Sequence, residues 1–341
     1  MKRVPLFVLF ISIYLFCTPS QKLTPVEQTK ILMDTFVQVT IFDQNRQVEE
    51  LEKIIESSFQ RIKEIDRITN NYNDSSLISL VNRKACKEPV ELDSVLQEII
   101  LSANKISKQS DGAFDITIGS VKRLWNFSSD DPRVPEATAI NNQIEHVDYR
   151  LVKLENHKIK FNTPKIKIDL GAIAKGFAID EAIMVLQQNG IKDAMVNAGG
   201  DLRAICSDLT KGKRKVWIKH PRIENKLLGY FQMDNGSVAT SGDYERFFIK
   251  DSTRYFHILD PKTGYPARGC VSVTIQTGNA MIADALATTV FVLGSDAGMN
   301  FVEKLPDVEA IILFEQNGKI NWIASKGLKN KFKINVQLQR S

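Results

Sequence analysis

Apolar residues recur along this chain with two different periods, and the changes of period mark its elements. Phe36 to Phe42 alternates as a half-buried strand does, whereas Val48 to Ile68 sets Leu51, Ile54, Ile55, Ile62 and Ile65 at the spacing of an amphipathic helix. Leu92 to Ile106 repeats the helical period through Val95, Leu96, Ile99, Ile100 and Ala103, and the turn-forming stretch Asp111-Gly112-Ala113-Phe114-Asp115 follows it directly. After a Pro-containing surface stretch, Ser128 to Pro135, the texture changes: from residue 144 the chain reads as short strands separated by turns. Helices are predicted within that region at about Gly176 to Gln188 and Ile282 to Leu293, and late strands at Val271 to Thr277, Ala310 to Phe314 and Ile320 to Ile323. No repeat of fixed period and no interdomain linker breaks the series. This distribution of strands and helices predicts an α+β class.

The first residues follow another logic. Lys2 and Arg3 precede an apolar run, Val4 to Phe16, that is too short to span a bilayer as a mature helix and suits a secretory h-region. Residues 1–17 are therefore predicted to be a signal peptide and the protein to be exported. Cys17, with Leu15 upstream and Thr18, Pro19 and Ser20 after it, stands where the lipid-carrying first residue of a mature bacterial lipoprotein would be. Phe16 occupies a position where a small residue is the rule, so ordinary cleavage near Ser20 and an uncleaved anchor stay open. Residues 18–30 lack apolar periodicity and read as a polar tether, which assigns 31–341 to the folded domain.

Composition narrows the field. A chain of 341 residues, 43% hydrophobic and 25% charged, has room for a sizeable core and is ordinary for a globular protein. Its net charge of +5 is the small difference between 45 basic and 40 acidic residues and includes Lys2 and Arg3, which gives a nucleic-acid partner no support. The basic cluster Lys211, Lys213, Arg214 and Lys215 is broken by Gly212 and reads as a solvated loop. With Cys17 set aside, Cys86, Cys206 and Cys270 are odd in number and widely spaced, which suits partly buried small side chains better than disulfides or a thiolate metal site.

Candidate chemistry lies in two short stretches, Asp169-Leu170-Gly171-Ala172-Ile173-Ala174-Lys175-Gly176 and Ala283-Asp284-Ala285-Leu286-Ala287-Thr288. Asp284 and Thr288 are four apart in a predicted helix, so they share a face and offer two hard oxygen ligands to one metal ion; capping or solvation accounts for the same spacing. Ile166, Ile168 and Leu170 read as a strand that runs into Gly171 and a helix start near Gly176, a place where backbone amides meet phosphate oxygens. The stretch has neither Walker spacing nor a dinucleotide-binding fingerprint, and an ordinary strand-to-helix connection with an exposed Lys175 explains it as well. His257 precedes the turn Asp260-Pro261-Lys262-Thr263-Gly264 and is the histidine placed as a general base, unlike His146, His157 and His220; a purely structural imidazole is the alternative.

Taken in order, these motifs closely resemble the FAD:protein FMN transferases, the ApbE-type flavin transferases. The resemblance runs from about Met33 to Gly294 through MDTFVQV, NNYNDSSLISLVN, DGAFDITIGSVKRLWNF, DLGAIAKGFAIDEA, VNAGGDLRA, ATSGDYERFF, HILDPKTGYP and ADALATTVFVLG. Any one block is weak; all of them in the right order are highly specific. The resemblance implies the ApbE-like fold, with mixed or antiparallel sheets and packed helices. It implies an enzyme that binds FAD and one or two Mg²⁺ ions, then transfers FMN to a Thr or Ser hydroxyl of another protein with release of AMP. By matching position, Asp284, Thr288 and the main-chain carbonyl of Ala172 would ligate the metal. Met33, Tyr72, Ala113, Phe114, Asp115, Asp169, Lys175 and Ile258 would line the FAD site, with Tyr72 stacking on the flavin and Lys175 complementing phosphate charge. His257 is the expected base and Asp243 its competitor, the latter also readable as a turn-capping carboxylate.

Export fits family members that flavinylate membrane-linked redox subunits on the outer, periplasmic face of the bacterial inner membrane, here through a lipid-anchored enzyme. Two other functions stay open. A water nucleophile at the same site would make the protein an Mg²⁺-dependent FAD pyrophosphatase, and a non-catalytic flavin-binding lipoprotein would need neither metal clamp nor base.

Overall fold

The computed structural model describes residues 25–42, 46–127, 129, 131–207 and 213–335. The signal peptide expected at 1–17, with Cys17, lies outside the described residues, as do the first residues of the expected tether and Ser128 and Lys211 of the two surface stretches. In chain order the elements are β1 (Val26–Leu32), β2 (Thr35–Ile41), α1 (Val48–Thr69), α2 (Leu77–Lys84), β3 (Val90–Glu91), α3 (Ser94–Gln109), α4 (Gly119–Trp125) and α5 (Ala137–Ile144). Next come β4 (Val152–Glu155), β5 (Lys158–Phe161), α6 (Ala174–Gln188), β6 (Asp193–Ala198), β7 (Asp201–Cys206), β8 (Arg214–Lys219), β9 (Leu227–Met233) and β10 (Gly236–Gly242). The last are β11 (Phe247–Lys250), β12 (Thr253–Phe256), β13 (Ser272–Thr277), α7 (Ala280–Leu293), α8 (Ser295–Val302), β14 (Glu309–Gln316), β15 (Lys319–Ala324), α9 (Lys326–Lys329) and β16 (Lys333–Ile334).

An eight-stranded sheet in the order β1-β2-β6-β7-β10-β13-β14-β15 organises the molecule, and every pairing in it is antiparallel. Because side chains alternate across a pleated sheet, each strand serves two cores. Val37, Val39, Ile41, Ala310 and Ile312 face a layer containing α1, α3, α6 and α7, while Ile311 and Leu313, one residue out of phase, pack with Val216, Ile218 and Phe231 of the small β16-β9-β8 sheet. The architecture is α+β, a helical layer and a small sheet on opposite faces of one antiparallel sheet. A separate aromatic cluster, Trp125, Phe127, Phe248 and Tyr255, supports the β11-β12 hairpin, and Trp125 Nε1 donates to the carbonyl of Gly264 at 2.9 Å.

Helix starts follow local chemistry. The side chains of Ser76, Asp93 and Asn279 accept from the backbone N–H groups of Ser79, Leu96 and Ile282, which begins α2, α3 and α7 where the apolar period begins.

Three local expectations change. β1 begins at Val26, inside the stretch read as tether: its residues are exposed or half-buried at the sheet edge, so pairing with β2, and not an apolar stripe, makes it a strand. Residues 166–170 form no strand beyond a single bridge between Ile118 and Lys167. Ile166, Ile168 and Leu170 are buried as expected, but the backbone of this segment bonds to side chains: Ile168 N–H donates to Asn82 Oδ1 at 2.7 Å and its carbonyl accepts from Asn82 Nδ2 at 2.9 Å. Arg214 and Lys215 lie in β8 and not in a loop; Arg214 pairs with Asp193 and covers the ring of Phe42, and Lys215 lies over the ring of Tyr230 at 4.9 Å.

Candidate functional site

A cavity of about 460 Å³ opens where the β1-β2 turn, the N-terminal end of α6, the C-terminal end of β10 and the middle of α7 converge. That volume is within the range of small-molecule sites. Met33 reaches it from a two-residue hairpin turn in which Met33 and Asp34 both have positive φ, 52° and 58°, as the tight turn between right-twisted strands demands. Ala113, Phe114 and Asp115 arrive from the turn after α3, and Tyr72, 66% exposed, from the turn between α1 and α2. Asp169, Ala172 and Lys175 come from the approach to α6 and its first turn, His257 and Ile258 from the segment after β12, and Asp284 and Thr288 from one face of α7. Every residue assigned above to FAD or metal, together with His257, lines this single cavity.

Asp243 does not. It follows β10, but both its carboxylate oxygens accept from Arg222, at 2.6 and 2.7 Å, and Arg254 stands 3.5 Å away. The carboxylate is buried in an ion-pair network beside the cavity, so the competing base is removed from the wall that a substrate would touch.

The charges on the wall are strongly coupled. Asp284 Oδ2 accepts from the backbone N–H of Gly176 at 3.0 Å; burial pushes this carboxyl up to about 7, with Lys175 opposing and the nearby Asp201 adding to the rise. Burial would lower the Lys175 ammonium, but the carboxylates of Asp201 and Asp284 override it and hold the group above its ordinary value. Asp169 is half-buried; desolvation would raise it, yet Lys122, donating to it at 2.8 Å, and the N–H of Gly171 at 3.0 Å keep it below the usual carboxylate range. Burial raises Asp115 against its bonds to Thr117 and to the N–H of Tyr149 at 2.7 Å, so this carboxylate is engaged in shaping its turn. His257 is the opposite case: burial, then the charges of Lys122 and Arg246, push it down to about 3. Its Nδ1 is buried with no hydrogen-bond partner among the described residues. At neutral pH the ring is uncharged and has a lone pair to offer.

Thr288 Oγ1 lies 3.2 Å from Ser241 Oγ, which fixes the hydroxyl on the cavity side of α7. The available metal donors are therefore a carboxylate, a hydroxyl and the main chain at Ala172, all hard oxygens. Among the described residues no three His, Cys, Asp or Glu side chains cluster as a self-sufficient metal site.

Lys122, Ser241, Glu245 and Arg246 also line the cavity and were not singled out from the sequence. All four lie inside the motif blocks quoted above. Asp201, in VNAGGDLRA, is 3% exposed behind Lys175 and was missed as well, because nothing in a lone Asp after two glycines distinguishes a site carboxylate from a turn residue.

Comparison with known proteins gives a consistent result. The ApbE family profile matches residues 33–312. A protein of Treponema pallidum described as an FAD:protein FMN transferase is 30% identical over 315 residues, covering 87% of this chain and 87% of its own length. One of the same description from Haemophilus influenzae is 28% identical over 310 residues, covering 86% of this chain and 89% of its own. Among solved structures, an ApbE protein from Thermotoga maritima matches with a TM-score of 0.81 at 33% identity, over 90% of this chain and 99% of the other. The flavin transferase ApbE from Vibrio cholerae matches with a TM-score of 0.80 at 25% identity, over 90% and 99%.

Proposed function

This chain belongs to the ApbE family, and from that premise we propose that it is an FAD:protein FMN transferase, taking FAD as substrate and joining its FMN half to a Thr or Ser hydroxyl of an acceptor protein. One observation supports this above all: residues from widely separated parts of the chain, assigned separately to flavin, phosphate, metal and base, meet on the wall of a single cavity.

The chemistry balances as a phosphoryl transfer. The acceptor oxygen forms a bond to the FMN phosphorus, the bond from that phosphorus to the bridging oxygen breaks, and AMP leaves with the bridging oxygen. A ring nitrogen of His257 takes the hydroxyl proton: the imidazole lines the cavity and its Nδ1 has no hydrogen-bond partner among the described residues. Lys175 offers positive charge to the diphosphate, and Lys122 with Asp169 fixes the turn at Gly171 next to it. Tyr72, exposed at the cavity edge, presents its ring to the isoalloxazine.

The donor set fits Mg²⁺: Asp284, Thr288 and the carbonyl of Ala172 would hold it, and with so few protein ligands the remaining positions would fall to diphosphate oxygens and water. Bound there, the ion would neutralise charge on the diphosphate. The signal peptide expected at residues 1–17 supports a reaction outside the cytoplasm, by a lipid-anchored enzyme acting on a membrane-linked redox subunit.

The test is to incubate residues 22–341 with FAD, Mg²⁺ and a recombinant acceptor domain containing an Asp-x-x-Thr-Ser/Thr stretch. An acceptor heavier by one FMN, with AMP released, is the expected result. Free FMN and AMP beside two unmodified acceptors would replace the transferase with a pyrophosphatase, and intact FAD would leave a flavin carrier.

A further inference from the structure

We propose that Asp201 is the positioning residue for Lys175, holding its ammonium at the cavity wall beside Asp284 in the place where the diphosphate of FAD is received; this rests on the function proposed above. Asp201 opens β7 immediately after the turn Gly199-Gly200, whose φ angles of 64° and 108° belong to glycine's range. The turn is closed on both sides: Asn197 Oδ1 accepts from Gly200 N–H at 3.0 Å, and Ala198 pairs with Asp201 across the β6-β7 ladder. The backbone that bears the carboxylate is thus fixed before the side chain does anything.

The side chain then divides its work. Oδ1 accepts from the N–H of Thr240 on the neighbouring strand β10 at 2.9 Å, and Oδ2 pairs with Lys175 Nζ. At 3% exposure the carboxylate stands behind the cavity wall, while Lys175 forms part of that wall. Asp201 therefore acts on a substrate through the lysine and not by touching it.

A lysine has a long flexible stem and a strongly hydrated head, so it contributes little to binding a developing anionic state unless something holds it in place beforehand. Asp201 supplies that restraint from the sheet backbone. A purely stabilising role is a poorer account of the same geometry, because a buried ion pair is often no more stabilising than apolar side chains of the same size, and here a second buried carboxylate, Asp284, lies close to the same ammonium. The arrangement is costly as packing and useful as preorganisation.

A double-mutant cycle tests this with Asp201→Asn, Lys175→Met and the pair together, read on FAD affinity by flavin fluorescence, on the rate of FAD turnover and on the thermal midpoint. Asparagine keeps an oxygen for the Thr240 N–H and removes only the charge that holds the lysine. Each single variant is expected to melt lower, because breaking a buried pair strands the partner's charge, and to lose about 10- to 100-fold in turnover per folded molecule, measured well below its melting temperature. The double variant is expected to match Lys175→Met alone. An Asp201→Asn loss that persists in full in the Lys175→Met background, or one that vanishes when turnover is counted per folded molecule, would overturn the positioning role while leaving the transferase intact. A wild-type protein that neither binds nor cleaves FAD would sink both readings together.

Discussion

The backbone N–H of Gly176 donates to Oδ2 of Asp284 at 3.0 Å, joining two stretches 108 positions apart in sequence. The bond ties the first turn of α6 to the middle of α7, and with it the Lys175 side to the Asp284 and Thr288 side of the cavity. Local sequence cannot impose such a contact. It depends on the two helices approaching closely, and Gly176 is what permits the approach: a Cβ built there would meet the carbonyl oxygen of Ala280 at 2.2 Å.

Gly176→Ala is accordingly expected to push α6 and α7 apart. Overpacking of this kind costs about 1–3 kcal/mol, outweighing the gain in helix propensity from alanine, which is about 1 kcal/mol. Denaturant melts of the variant should show a lower midpoint with an unchanged slope, and FAD turnover should fall further than the stability loss explains. A variant as stable and active as the wild type would mean that the helices do not need this contact.

Asp284 makes a prediction about pH. Its carboxyl is raised to about 7 in the folded protein against an ordinary value near 4, so the folded state binds more protons than the unfolded one between those limits. The stability it contributes is complete below about pH 4 and is lost as pH rises through 7. Without divalent cations, Asp284→Asn should therefore melt above the wild type at pH 8, with the gap closing toward pH 4, and it should have no Mg²⁺-dependent FAD turnover. Added Mg²⁺ should raise the melting temperature of the wild type and leave that of the variant unchanged. A variant that still turned over FAD with Mg²⁺ would refute the metal assignment.

How far the sequence reveals this site depends on which residues set each feature. The amphipathic stretch Val48 to Ile68 is α1 to within a residue, and the four-residue spacing of Asp284 and Thr288 does place both on the cavity face of α7, because period alone fixes those relations. The segment 166–170 has the apolar pattern of a strand, but Asn82 and Ser120 take its backbone groups, and no local pattern reports partners some 47 to 86 residues away. Asp243 is a related case: its neighbours in sequence suggest a site residue, while its charge is engaged by Arg222, 21 residues away. Lys122 and Arg246 were invisible as site residues because a basic residue in a motif looks like any solvated one until the fold turns it inward.

His257 gives the opposite pH behaviour from Asp284. Its ring is held near 3 in the folded protein against about 6.5 in an unfolded chain, so between those values the unfolded state takes up a proton that the folded state refuses. Its destabilising effect is absent above about pH 6.5 and grows as pH falls toward 3. In the Asp284→Asn background, where the opposing carboxyl is gone, His257→Asn should flatten the acid limb of a plot of melting temperature against pH. Equal limbs in the two proteins would show that the ring is freely protonated and that its burial has been misjudged.

The last prediction separates the two candidate bases. His257 lines the cavity, so His257→Asn in the otherwise wild-type protein should keep FAD affinity and lose about 10²- to 10⁴-fold in the rate of acceptor labelling, the usual worth of a general base. Asp243→Asn removes a buried carboxylate from two arginines, Arg222 and Arg254, and charged hydrogen bonds of this sort are worth about 1.5–3 kcal/mol. That variant should melt lower yet label the acceptor at nearly the wild-type rate per folded molecule, measured well below its melting temperature. If Asp243→Asn abolished labelling at full stability while His257→Asn did not, the proton would have to leave through Asp243, and the ion pair with Arg222 would have to open during turnover.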